Sequence, residues 1–144
     1  MLAQKTRYAL RSLLYLVEEG QGAPVQLARI AQTQRIPPKY LELIMLDIKK
    51  AGLVRSTRGP GGGYVLARHP DHISFGEIVR VMEGPIALVP CASVNFYERC
   101  GDCHDEETCA IRRAFSLLRE QSAALLEGIS LSEAAAWEKS AEAS

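Results

Sequence analysis

The 144-residue sequence has no uncharged run long enough to cross a bilayer. The longest, Gly84 to Tyr97, is shorter than a membrane span and contains Pro85 and Pro90. It has no secretory leader pattern, because the apolar run near the start is only Leu13 to Val17 and lies among helical charges. No low-complexity tract or internal repeat is present, which excludes disordered, collagenous and solenoid classes. Neither sign of charge is in excess, with 17 basic and 17 acidic side chains. Cysteine is absent outside one window, Cys91 to Cys109. No hydrolase nucleophile elbow or zinc-protease helix occurs. What remains is a small folded chain, expected in the cytoplasm and not expected to be an enzyme.

The balanced charge conceals a division. Residues 1–70 hold eleven Lys/Arg against four Asp/Glu, and residues 71–144 hold six against thirteen. That asymmetry suits a chain of which only the first part faces a polyanion. Residues 2–19 carry Ala9, Leu10, Leu13, Leu14 and Val17 at helical spacing, and Gly20, Gly22 and Pro24 end the helix. Val25 to Gln32 reads as a short second helix and Thr33 to Ile36 as a turn. Pro37 and Pro38 then open a third helix that buries Leu41, Ile44, Met45 and Ile48 and stops at Gly52. Two such helices on a tight turn form a helix-turn-helix candidate.

Leu53 to Ser56 and Tyr64 to Ala67 read as two strands around a tip holding Gly59, Gly61, Gly62 and Gly63. A helix-turn-helix followed by a glycine-rich hairpin is a winged-helix arrangement. Glycine leaves the tip's backbone bare, and Arg55 and Arg58 add charge there. The glycines do not form a nucleotide fingerprint: Tyr64 stands where its third glycine is required, and no Lys-Ser/Thr pair follows. Ser74 with Glu77 and Ser130 with Glu133 have capping-box spacing and open two further helices. Between them, Cys109 to about Glu127 is one long helix, with Ile111, Ala114, Phe115, Leu118 and Leu125 near one stripe. Its apolar width exceeds what a small winged helix covers, so it is expected to supply a dimer seam. The architecture expected is therefore mainly α: a winged-helix unit over 1–83, a cysteine-bearing segment over 84–108, and a dimerisation helix plus a short helix over 109–144.

Cys91, Cys100, Cys103 and Cys109 lie within nineteen residues. In a cytosolic protein such clustering points to metal or redox chemistry rather than structural disulfides. Cys109, expected at a helix N-terminus, lies where the dipole stabilises a thiolate. Four thiolates can hold a two-iron or a four-iron cluster. The interval from Cys100 to Cys103 also suits zinc, and a thiol–disulfide switch needs no metal.

The run Lys5 to Leu10, Pro38 to Glu42, Gly52 to Val54, and the wing Arg58 to Tyr64 together resemble the Rrf-type winged-helix transcriptional regulators, of the IscR, NsrR and CymR kind. The resemblance extends over about residues 1–137. It implies a homodimeric regulator of bacteria, a repressor by expectation, that binds palindromic double-stranded DNA. The third helix would enter the major groove and the wing the adjacent minor groove. It makes Arg29, Arg35, Pro38, Lys39, Tyr40, Glu42, Arg55, Arg58, Gly61 and Gly62 the candidate DNA-binding residues, with Glu42 implicated in operator choice. It also implies an iron–sulfur cluster on three cysteines, the last two separated by five residues, as Cys103 and Cys109 are. Cys91 takes the first position and Cys100 is extra. The histidine that IscR-type proteins place three residues after the last cysteine is here Arg112, and the region near Arg7 and Tyr8 has no acid of the NsrR type. The fourth ligand is thus Cys100, His104, a small molecule or none.

Overall fold

A computed structural model describes residues 2–84, 87–94 and 97–143. Pro85, Ile86, Asn95 and Phe96, within the expected cysteine segment, and the terminal Met1 and Ser144 lie outside the described residues. The chain is mostly helical: α1 (Gln4–Tyr15) runs into a π-helical turn (Leu16–Gly20), then α2 (Leu27–Gln34) and α3 (Pro38–Lys50). A hairpin follows, β1 (Val54–Thr57) and β2 (Gly63–Leu66), and then α4 (Phe75–Glu83), α5 (Ala110–Glu127) and α6 (Leu131–Glu142).

The helix ends follow local chemistry. α3 begins on Pro38 at its first turn and closes on Gly52 at φ +79°. There the Gly52 N–H donates to Lys49 O at 3.0 Å and the Leu53 N–H to Ile48 O at 3.1 Å. This paired closure tucks Leu53 into the core. Both expected serine caps form, with Ser74 Oγ accepting from Glu77 N and Ser130 Oγ from Glu133 N, each at 3.1 Å. Cys109 caps α5 with sulfur, its Sγ accepting from Arg112 N at 3.4 Å.

Val25 departs from the helical expectation. It is not in α2 but forms an isolated antiparallel bridge with Tyr64, with N···O distances of 2.9 and 2.8 Å. A β-branched residue after Pro24 is better suited to extended backbone than to a first helical turn. α2 accordingly starts two residues later than the periodicity suggests and runs on to Gln34. The wing strands are each shifted by one residue from their expected bounds, and Val54 pairs with Leu66, Arg55 with Val65, Ser56 with Tyr64 and Thr57 with Gly63. Gly63, at φ +147°, has to be glycine: a Cβ there would stand 2.4 Å from the Val25 carbonyl.

Leu13, Ile30, Leu41, Met45, Ile48, Leu53, Ile73 and Ile78 form one core with Leu131 of α6. The last helix therefore turns back onto the first: Leu131, Ala134 and Ala135 are buried with α1 and the π turn. The return is fixed by backbone bonds from Leu131 N to Ile73 O and from Phe75 N to Ile129 O, both 2.9 Å. α5, in contrast, has no fully buried residue and lies against α4 and the Pro90–Ala92 turn. Among the described residues no helix is long and apolar enough to cross a membrane.

At the start of the chain, Glu83 of α4 accepts from Ala3 N at 2.6 Å and from Thr6 Oγ1 at 2.8 Å. The Ala3 N–H bond first, and then the Thr6 hydroxyl, hold the Glu83 carboxyl below its ordinary range. Its contribution to stability is therefore present above the ordinary glutamate value, about 4.3, and is lost as pH falls through its lower folded value. Glu83→Ala is expected to lose about 1–3 kcal/mol near neutrality, and its deficit against the parent protein shrinks below about pH 4. Urea titrations at pH 7 and pH 3.5 measure both. Gly63→Ala is expected to cost more than about 2 kcal/mol, because both its φ and the Val25 backbone oppose a side chain. Thermal unfolding of that variant against Gly61→Ala, where a Cβ meets open space at φ +77°, separates steric clash from backbone strain.

Candidate nucleic-acid interface and cysteine cavity

The turn between α2 and α3 sets the geometry of the reading helix. Ile36 N donates to Ala31 O at 2.9 Å and Arg35 N to Gln32 O at 3.4 Å, so the helix closes as α3 does. Here the left-handed position, φ +55°, is filled by Arg35 instead of glycine. Arg11 of α1 braces the turn from below, donating through its guanidinium to Gln34 O, with Nε 3.4 Å from Gln34 Oε1.

Beyond the turn, Pro38, Lys39, Tyr40 and Glu42 are all exposed on the first two turns of α3. Tyr40, exposed on one side, also packs within the chain. Its ring meets Tyr8 of α1 edge-on, with centroids 5.8 Å apart, and the Arg11 guanidinium lies over the Tyr8 ring at 5.8 Å. Tyr8 and Arg11 therefore support the interface without belonging to the residues expected in it. The only sequence signal for Tyr8 is its place in the run Lys5 to Leu10. Lys49, near the end of α3, donates to Ser56 Oγ at 2.7 Å and ties the reading helix to the wing.

The remaining expected contacts fall in different settings. Arg29 on α2 is exposed and 3.9 Å from Glu19. Arg58 and Gly61 are exposed at the wing tip. Gly62 is buried, with its N–H donated to Gly59 O at 2.9 Å, and thus shapes the tip from inside. Arg55 is exposed and borders a cleft of about 520 Å³ between the π turn and the wing, with Val17, Gln21, Arg68 and His69 among its neighbours.

The cysteines gather elsewhere. Cys91, Cys100, Cys103 and Cys109 line one cavity of about 520 Å³ together with His104 and Arg112. Cys91 is buried, and its Sγ is 3.6 Å from Cys100 Sγ. Burial first, and then the Cys100 sulfur, push the Cys91 thiol up. Cys103 lies beside Arg99, and that contact, ahead of Glu106, raises the guanidinium's pKa. Tyr97 donates to Glu106, whose carboxylate pushes the phenol up. Arg112 Nε donates to Cys91 O at 3.2 Å, joining the first turn of α5 to the Cys91 turn.

Among the described residues, no three Cys, His, Asp or Glu side chains are placed as a ready metal site. The donor set nevertheless fits a thiolate-held group, since four sulfurs and an imidazole border one cavity. The Cys91–Cys100 separation is also close to the ~3.8 Å that two sulfurs take on one tetrahedral metal at ~2.3 Å bonds. Cys100, the extra cysteine of the sequence pattern, thus stands in direct contact with Cys91.

A helix-turn-helix followed by a two-stranded wing defines a winged-helix protein. The family model for Rrf2, described as iron-dependent transcriptional regulator, matches residues 2–136, and the chain belongs to this family of DNA-binding regulators, not enzymes. It is 40% identical over 136 residues to an Rrf2-like HTH-type transcriptional regulator of Rhodobacter capsulatus, covering 92% of this chain and 91% of that one. It is 34% identical over 132 residues to the HTH-type transcriptional regulator IscR of Aliivibrio salmonicida, covering 92% and 75%. Among solved structures it is similar to CymR, the global cysteine regulator of Bacillus subtilis, with TM-score 0.77, 35% identity and coverage of 95% and 97%.

A non-glycine residue in the left-handed region costs about 1 kcal/mol or more, so Arg35→Gly is expected to raise the unfolding midpoint, which thermal melts measure.

Proposed function

We propose that the chain is a homodimeric repressor of the cytoplasm that binds a palindromic operator and senses iron–sulfur, nitric-oxide or redox status through its cysteine cavity. In this reading residues 1–83 bind DNA, 84–108 sense, and 109–144 carry the dimer contact and the returning α6. The observation that carries the sensing part is the gathering of all four cysteines around one cavity at the N-terminus of α5.

Each part has its residues. Pro38 and Glu42 approach base edges, Lys39 holds a flanking phosphate, and Glu42 accepts from a cytosine amine against the repulsion of nearby phosphate. Tyr40 positions that surface through Tyr8. Arg29, Arg35, Arg55 and Arg58 contact the backbone, Gly61 brings the wing close to it, and Gly62 holds the wing's shape. The dimer reading is supported by α5, where Ile111, Leu118 and Leu125 recur every seven residues; Ile111 is 63% and Leu125 67% exposed in the single chain. Twofold symmetry then places the half-sites about 34 Å apart or a multiple of it.

Cys91, Cys100, Cys103 and Cys109 would hold a two-iron or four-iron cluster, with His104 alongside. A bound cluster supplies sensitivity to oxidants and nitric oxide. What the chain itself supplies is the coupling: Cys109 caps α5, and Arg112 bonds the Cys91 carbonyl, so the cavity wall and the start of the helix move as one. A second reading is favoured by the Cys91–Cys100 pair. Hydrogen peroxide can take both thiols to a disulfide, two thiols and one peroxide giving one S–S bond and two waters. Zinc on the same thiolates is the third possibility.

The test is metal and sulfide content of anaerobically purified protein, with its visible spectrum, its mass in solution and its binding to palindromic promoter duplexes with and without peroxide. Brown dimeric protein with matched iron and sulfide is the expected result. Colourless protein with stoichiometric zinc makes the cavity a structural clamp. Metal-free protein in which peroxide consumes two thiols selects the disulfide reading, and a monomer with no salt-dependent DNA binding overturns the proposal.

A further inference from the structure

The outermost stripe of α3 is not wholly polar. Lys39, Leu43, Leu46 and Lys50 succeed one another at intervals of four, three and four residues. This places them on one line of the helix, opposite the buried Leu41, Ile44, Met45 and Ile48. Leu43 is 63% exposed and Leu46 46% exposed. Two uncovered leucines form an apolar strip with a lysine at each end and the exposed acids Glu42 and Asp47 at its flanks. Such a strip gains less from an apolar protein groove, which offers nothing to its two ammonium groups. It suits a surface whose apolar points lie between rows of anions.

The major groove has that chemistry. Its only apolar points are the thymine 5-methyl groups, and phosphates line both of its edges. Base edges are met chiefly by the N-terminal part of a reading helix. Leu43 is the sixth residue of α3 and Leu46 lies almost a turn deeper. We infer that Leu43 is a specificity-determining residue, covering a thymine methyl group in each half-site, and that Lys39 and Lys50 hold the phosphates on either side. The inference rests on the DNA-binding reading and names one base feature that the operator must carry.

Replacing thymine by deoxyuridine removes the methyl group and keeps the pairing. Duplexes recovered from a randomised pool by the full-length protein are the probe, with their thymines exchanged one at a time. Burying one methyl group is worth about three- to fivefold in affinity. At one thymine position per half-site, the exchange is therefore expected to weaken wild-type binding by about that factor. Leu43→Ala is expected to bind the parent duplex more weakly and to be indifferent to that exchange. Lys39→Ala loses affinity for both duplexes and keeps the sensitivity. Leu43 is exposed, so circular dichroism of its variant should match the parent.

Equal sensitivity in wild type and Leu43→Ala, or no sensitive thymine, overturns the role of Leu43 and leaves DNA binding intact. Recovery of no duplex at all overturns both. Self-association of the DNA-free protein that Leu43→Ala abolishes reassigns the stripe to a second copy of the chain.

Discussion

Two backbone hydrogen bonds between Val25 and Tyr64 hold the helix-turn-helix and the wing in register. They join the strand that returns from the wing to the residue that enters the helix-turn-helix, and Gly63 permits the approach by lacking a side chain. Without this bridge, a hairpin of two four-residue strands would be marginal in water. With it, β2 gains a bridge to a third extended segment, and the wing's orientation is referred to the residues that lead into α2. Lys49 adds a polar tie from α3 to Ser56, so both helices of the motif fix the same hairpin.

The same economy governs the reading helix. Its inner face is anchored by Leu41, Ile44, Met45 and Ile48, which meet the core formed by α1 and α4. Its entry angle is set by the closure of α2 at Arg35, a position whose backbone favours glycine. A cation held there in a disfavoured conformation is a local cost met by the surrounding contacts, the pattern expected where function constrains a turn. Arg11 and Tyr8 show that α1 is more than a core helix, since it supports both the turn and Tyr40.

Much of this was legible in the chain. The apolar spacing of α3, Pro38 at its start and Gly52 at its end are strong local signals, and the serine caps of α4 and α6 follow directly from their spacing. The wing was readable from its glycines. What stayed hidden depended on contacts distant in sequence. Val25 resembles a helical residue until Tyr64 claims its backbone. Arg35 lacks the glycine that marks a left-handed closure. Nothing in the cysteine intervals distinguishes Cys100 as a neighbour of Cys91, because their approach is made in the fold and not by a local element. The inward turn of Gly62 is a local matter, its N–H being claimed by Gly59 within the tip, but four glycines in a row of five leave open which of them turns inward.

α5 is attached unequally at its two ends. Near its C-terminus Gly76 leaves space for Glu127, Arg80 pairs with Glu127, and the Ser74–Ser130 bridge joins the following turn to α4. At the other end it meets the cysteine turn through Cys109 and Arg112. Eighteen residues make a cantilever about 27 Å long. Its fulcrum lies at the core and its loaded tip at the cavity. A 1 Å displacement of the tip corresponds to a rotation of only about 2° at the fulcrum. Conversely, a small tilt imposed at the core becomes a displacement comparable to a bond length where the sulfurs stand.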